Sequence, residues 1–254
     1  MVRSTASPFE KVRSTRAHER IVEQLQRLIL SGKLPPGSRL PSERSLMAEF
    51  EVSRPTVREA LRVAESMGLI SIRHGDPGGP KVLGTPSLGI ARVLDGLVEA
   101  GCASAPELIE MRIILDSSSA ALASLQPKER LSKASELLGK MRDAADPDAF
   151  AQLDAGFHEA IAVASGNRLF HVVFQALDQP IRTLIKGRLA SSAGPSREHT
   201  LQQHAAILDA IRGGQPQQAA SAARSHLRQF YFPGLSAQER SHMRCFMRAL
   251  DQAD

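Results

Sequence analysis

Two stretches decide the fold: Leu40-Pro41-Ser42-Glu43-Arg44, then Val52-Ser53-Arg54-Pro55-Thr56-Val57-Arg58-Glu59-Ala60-Leu61, which leads on to Gly68-Leu69-Ile70. Each opens like a helix. Ser42 offers a side-chain oxygen to the free N–H groups of a first turn, and Glu43 sets a negative charge at the positive end of the helix dipole. Leu46, Met47 and Phe50 then supply an apolar face. Ser53 can cap the second helix, and Pro55 lies in its first turn, where a missing N–H costs nothing. Val57, Leu61, Val63, Ala64 and Met67 form the inner face of that helix before Gly68 stops it.

Working outward, Ile21, Leu25, Leu28 and Ile29 recur at helical spacing from Ala17, and Ser31-Gly32 with Pro35-Pro36-Gly37 ends the run. Residues 1–16 are rich in Ser, Thr and Arg without apolar periodicity and read as a flexible leader. Downstream, Leu69-Ile70-Ser71-Ile72 alternates weakly in strand fashion. The run His74-Gly75-Asp76-Pro77-Gly78-Gly79-Pro80 is a turn, and Lys81-Val82-Leu83 returns. Helix, helix, tight junction, helix and hairpin over residues 17–84 is the order of a winged helix-turn-helix, a module that lays its second motif helix in the major groove of DNA.

Charge agrees with that order. The chain holds 32 Lys and Arg against 27 Asp and Glu, a formal net charge of +5, and the positive excess lies mostly in the first third. A polyanionic partner is expected there. Cys102 and Cys245 are the two cysteines, far apart and without metal-type spacing, so a disulfide framework is not expected. No signal-peptide core and no run approaching the ~20 apolar residues of a membrane span is present, and a soluble cytoplasmic protein is expected.

On these residues the first third resembles the GntR family of bacterial regulators. Arg54 and Arg58, four apart on one face at a helix N-terminus, suit guanidinium forks onto guanine O6 and N7 in the major groove. Arg44 resembles the family's other groove-facing arginine. Ser42, Ser53 and Thr56, with the free N–H groups of two helix starts, suit phosphates and would set the register. At the wing turn, His74 and Gly75 stand where the resemblance implies a minor-groove contact, although the family more commonly shows Gly-x-Gly there.

From Ser87 onward the pattern is helical throughout. Helices are predicted at about 87–100, 105–125, 127–145, 147–165, 167–190, 196–213 and 216–232, connected by short breaks, and an antiparallel all-α bundle follows. This predicts a mainly α protein: a winged helix-turn-helix, a helical domain over 85–233, and a tail or short helix over 234–254 that could meet a partner.

Four residues of the bundle carry chemistry. Asp154 and His158 are four apart on one helix, hence on one face, while His204 and His226 come from two further helices. A histidine of this kind taken alone is more often an ordinary core or surface residue. Three imidazoles and a carboxylate together suit a divalent transition metal, zinc or nickel foremost, with positions left open for a ligand. Arg112 could fork the carboxylate of an organic acid drawn to such a cation, and Asn167 could add an amide contact or simply cap a helix. His199 and His171 fit surface or structural roles better.

The stretches Glu110-Met111-Arg112, Leu115-Asp116, Asp154-x-x-Phe157-His158, Ser165-Gly166-Asn167, His204-Ala205-Ala206-Ile207-Leu208-Asp209-Ala210-Ile211 and Ala222-x-x-x-His226 resemble the FCD effector domain of the FadR subfamily of GntR regulators. That resemblance implies a metal held by one Asp and three His, a small carboxylate effector, a homodimer and a double-stranded operator. A metal hydrolase is the rival reading. No general base, nucleophile elbow or Gly-rich phosphate loop stands out for it, and fusion to a DNA reader favours sensing over turnover.

Overall fold

The protein is described by a computed structural model at residues 16–73, 79–83, 87–184 and 195–252. It divides into two units, at Pro86/Ser87. The first holds α1 (Arg16–Leu30), α2 (Glu43–Phe50), α3 (Arg54–Ser66), β1 (Ile70–Ser71) and β2 (Lys81–Val82). Ile21, Leu25 and Ile29 of α1 bury against Leu46, Val57, Leu61, Ile70 and Val82, the residues that the periodicity places inward.

Local chemistry sets the junctions. The Ser42 hydroxyl accepts from the Ser45 N–H and so caps α2, which ends at Glu51 in the left-handed region with φ 54°. Ser53 occupies the N-cap of α3, yet its hydroxyl bonds the Thr56 hydroxyl at 2.9 Å instead of a backbone N–H. The strands pair antiparallel with Ile70 opposite Val82 and Ser71 opposite Lys81. Gly79 is required where the hairpin passes Leu40, just ahead of α2: its φ is +76°, and a Cβ there would lie 2.4 Å from the Leu40 carbonyl oxygen. His74 and Gly75 at the expected wing turn lie outside the described residues, as does the leader up to residue 15.

The second unit is helical throughout its described residues: α4 (Ser87–Glu99), α5 (Ala105–Ser124), α6 (Ser132–Asp143), α7 (Pro147–Ala164), α8 (Arg168–Leu184), α9 (Arg197–Arg212), α10 (Pro216–Tyr231) and α11 (Ala237–Gln252). A capping box between Ser104 and Glu107 starts α5, and Pro106 sits in its first turn. This helix runs through the middle of the bundle and buries residues all round. Its small Ser117, Ser119, Ala120 and Ala123 let neighbouring backbones approach closely.

Two apolar clusters fill the unit. One joins Phe157, Ile161, Leu138, Met141, Ile207 and Ile211, and the other joins Ile109, Ile113, Phe174, Leu177, Tyr231 and Met243. The predicted end of the fifth bundle helix at about 190 falls outside the described residues, and the C-terminal segment differs from the sequence reading. The described part of α8 ends at Leu184, with Pro180 inside the helix, and residues 185–194 lie outside the described set. The C-terminal segment is a 16-residue helix, longer than expected, and its Met243 and Met247 are buried in this chain's own bundle.

Candidate metal centre and nucleic-acid interface

The first unit presents its cations at the start of α3. Arg54 and Arg58 are largely exposed, and the carboxylate of Glu43, at the first turn of α2, holds both: Oε2 takes Arg54 Nε at 3.2 Å and Oε1 takes Arg58 Nε at 3.2 Å. Arg44, Ser42 and Ser53 are exposed on the same two helix starts, and Thr56 is half-buried. The sequence reading missed two features. One is Glu43 as a bridge; the other is a cleft lined by Arg39, Arg73 and Lys81, which hairpin pairing brings to the base of the wing. Their charge was visible in the sequence, but their meeting depends on the strand register.

In the second unit, α7, α9 and α10 carry the four candidate ligands to one point. One ligand atom each from Asp154, His158, His204 and His226 lies within 4.8 Å of all the others. His226 Nε2 is 3.2 Å from His158 Nε2 and 3.2 Å from His204 Nε2, and His204 Nε2 is 3.4 Å from Asp154 Oδ1. Donors bonded at about 2.1 Å to one ion stand about 3.0–3.4 Å apart for bond angles between 90° and the tetrahedral value, and these three separations fit that range.

The surroundings aim these atoms. His226 Nδ1 lies 2.9 Å from Gln203 Oε1, which fixes Nδ1 as the protonated nitrogen and leaves Nε2 as a lone pair. His158 Nδ1 faces Asp116 Oδ1 at 3.8 Å. The Phe157 ring stacks on His204 with centroids 4.3 Å apart. His204 Nδ1 is buried without a hydrogen-bond partner, so packing rather than a polar contact orients that ring.

Electrostatics suit cation binding at neutral pH. Burial, with the neighbouring imidazoles, holds His158 and His204 well below the ordinary histidine value, and burial with Arg112 nearby lowers His226 to about 4. All three rings are therefore uncharged donors. Burial pushes the Asp154 carboxyl up to about 7, against the pull of Arg112.

A cavity of about 440 Å³ opens on this cluster, and Asp154, His158, His226, Arg112, Arg182 and Tyr231 contribute to its wall. Arg112 is almost fully buried. Its Nε donates to Asp116 Oδ2 at 2.5 Å, and its guanidinium carbon lies 3.9 Å from the centre of the Phe174 ring. Asn167 is placed differently: its Oδ1 accepts from the Leu169 and Phe170 N–H groups, so the side chain caps α8 and does not line the cavity. His171 pairs with Glu159 and His199 with Gln229, away from the four ligands.

Comparison with known proteins agrees with this anatomy. Residues 17–77 match the family model described as bacterial regulatory proteins, gntR family, and residues 107–229 match the FCD domain. The HTH-type transcriptional repressor NanR of Enterobacter sp. (strain 638) is 34% identical over 220 residues, covering 82% of this chain and 81% of the relative. NanR of Escherichia coli (strain K12) is 34% identical over 222 residues with the same coverage of 82% and 81%. Among solved structures, Streptococcus agalactiae GntR aligns with a TM-score of 0.64 at 26% identity, covering 84% of this chain and 97% of that one. These similarities are to DNA-binding regulators and not to enzymes. With a helix-turn-helix unit, a helical unit and both family models matched in order, the chain belongs to the GntR family of bacterial regulators, in the branch that carries an FCD domain.

Proposed function

We propose that this chain is a transcription repressor whose affinity for a duplex operator is set by a small organic acid bound beside a metal ion, zinc or nickel foremost. Asp154, His158, His204 and His226 hold the ion, and Arg112 forks the carboxylate of the acid. The observation that carries this reading is the convergence of three uncharged imidazoles and one carboxylate, with Asp154, His158 and His226 on the wall of a cavity that also contains a buried arginine. When bound, the metal supplies a Lewis-acidic centre that attracts an anionic oxygen ligand.

The chain's own residues do the rest. Arg112 stays charged: burial, the largest single influence, opposes its charge, but Asp116, Tyr231 and Asp178 together more than offset it. Nε is spent on Asp116, which leaves the terminal nitrogens of the guanidinium for a ligand. At the other unit, Arg54 and Arg58 read base edges, Arg44 enters the groove beside them, and Ser42, Ser53 and Thr56 fix the register on phosphates. His74 and Gly75 complete the contact at the wing.

Sensing requires that the acid bind two states unequally. The cavity is walled in part by Ile181 and Arg182 of α8, and α8 packs against α4, whose Leu94 and Val98 join the same apolar cluster. Because α4 directly follows the DNA-binding unit in the chain, a shift of α8 reaches the linker through α4. As a homodimer on a near-palindromic site, two copies would then lose their match to successive major grooves.

The test is release of DNA. Genomic fragments are selected on purified metal-loaded protein, and small mono- and dicarboxylic acids are titrated against the complex by fluorescence anisotropy. At least one acid should release the fragment from wild type, and fail to release it from a His158→Ala, His204→Ala variant that still binds DNA. Release by the same acid from both proteins contradicts the reading.

A further inference from the structure

We propose that a second ligand site, for a small phosphate-bearing molecule, lies where α9, α10 and α11 meet. A cleft of about 660 Å³ there is lined by Pro195, His199, Arg228, Gln229, Phe232, Pro233, Arg240 and Arg244, and it shares no lining residue with the Asp/His cavity. Three arginines and a histidine converge in it, and among the described residues no Asp or Glu lines it.

Arg228, Arg240 and Arg244 have no ion pair among the described residues, whereas the buried Arg112 and Arg224 pair with Asp116 and Asp251. Bringing like charges together without a carboxylate is unfavourable, and a multiply charged anion in the cleft removes the repulsion.

The cleft is also built. Arg240 and Arg244 stand one turn apart on one face of α11, and an Arg240 guanidinium nitrogen donates to the Leu235 carbonyl, which holds that side chain at the wall. His199 Nε2 and Gln229 Oε1 lie 2.7 Å apart and tie the start of α9 to the end of α10. Ser196 caps the 16-residue α9, so the positive end of that helix dipole borders the cleft beside Pro195. Several guanidinium groups call for a ligand with several oxygens and a charge beyond −1, which is phosphate chemistry rather than that of a single carboxylate. Phe232, Pro195 and Pro233 offer apolar surface to the organic part. An open cleft of this size has room for a small phosphorylated molecule.

The probe is inorganic pyrophosphate, titrated calorimetrically at constant ionic strength into wild type, an Arg228→Ala, Arg244→Ala variant and the His158→Ala, His204→Ala variant. Arg228 and Arg244 are exposed, so the first variant should keep its circular dichroism and metal content. Saturable binding at about one site per chain is expected in wild type, weakened at least about tenfold in the arginine variant and unchanged in the histidine variant. The proposal is overturned if wild type shows no saturable binding or the arginine variant binds like wild type. It is also overturned if binding disappears in the histidine variant, which would place the anion at the metal. A fourth adverse result is loss of non-specific DNA affinity in the arginine variant with pyrophosphate binding retained.

Discussion

His226 and Gln203 are joined at 2.9 Å between ring Nδ1 and amide Oε1, and this contact decides which nitrogen of the histidine faces His158 and His204. Gln203 is neither one of the four candidate ligands nor among the described residues lining the cavity. It works on the site only through the ring it holds. Gln203→Leu should therefore weaken metal affinity about 10–100-fold with the fold intact, measured by competition with a chromogenic chelator. Unchanged affinity would mean that packing alone orients His226.

Glu43 does for the DNA surface what Gln203 does for the metal site. By taking the Nε of Arg54 and of Arg58, it leaves the terminal nitrogens of both guanidinium groups for the base contacts proposed for them. Glu43→Ala should raise affinity for random duplex at low salt, since a negative charge is lost, and reduce the ratio of operator to random binding about tenfold. Arg58→Ala should cost about 1–3 kcal/mol on the operator and little on random DNA. Equal losses on both duplexes would place Arg58 on the phosphates.

Metal uptake should release a proton in a pH-dependent way. With its carboxyl raised to about 7, Asp154 is largely protonated at pH 6 and largely ionised at pH 8. Binding at pH 6 should displace close to one proton more than binding at pH 8, and affinity should rise with pH across that interval. Calorimetry in buffers of different ionisation enthalpy measures the number directly. An equal proton count at both values would remove Asp154 from the ligand set.

The metal-free protein should lose stability on acidification. Its three histidines titrate below their unfolded value, His226 near 4 against an ordinary 6.5, so between those values the unfolded chain binds more protons and is favoured as pH falls. Asp154 acts in the opposite sense. Its folded value of about 7 against 3.8 gives stability at low pH that is lost as pH rises through 7. Three imidazoles outweigh the two raised carboxyls, Asp154 and Asp116, so the melting temperature of chelator-treated protein should drop between pH 6.5 and 4.5, with His226 alone contributing up to about 3 kcal/mol. His226→Gln should flatten that slope; an unaltered slope would assign the acid sensitivity to other groups.

Much of this architecture was legible because periodicity and capping are local. The spacing of Ile21, Leu25 and Ile29 and the cap at Ser42 mark helices without tertiary knowledge. The i,i+4 relation of Asp154 and His158 likewise puts them on one face, while their meeting with His204 and His226 depended on bundle packing. Helix α11 was harder to read, since among its polar residues only Met243 and Met247 are buried and so mark an inner face. Asn167 offered two roles in the sequence, and its amide oxygen follows the local one, at the start of α8. Gln203 had no sequence signal beyond residue type, and Glu43 read only as a helix-start charge, because each acquires its further role from a partner in another helix.

The most direct test of the central claim is the metal content of purified protein by elemental mass spectrometry, wild type beside the His158→Ala, His204→Ala variant. About one transition-metal ion per chain is expected in wild type, and essentially none in the variant. A wild type that stays empty after reconstitution with zinc, nickel and manganese, or a variant that holds as much metal as wild type, would contradict the sensing site while leaving the DNA-binding unit as described.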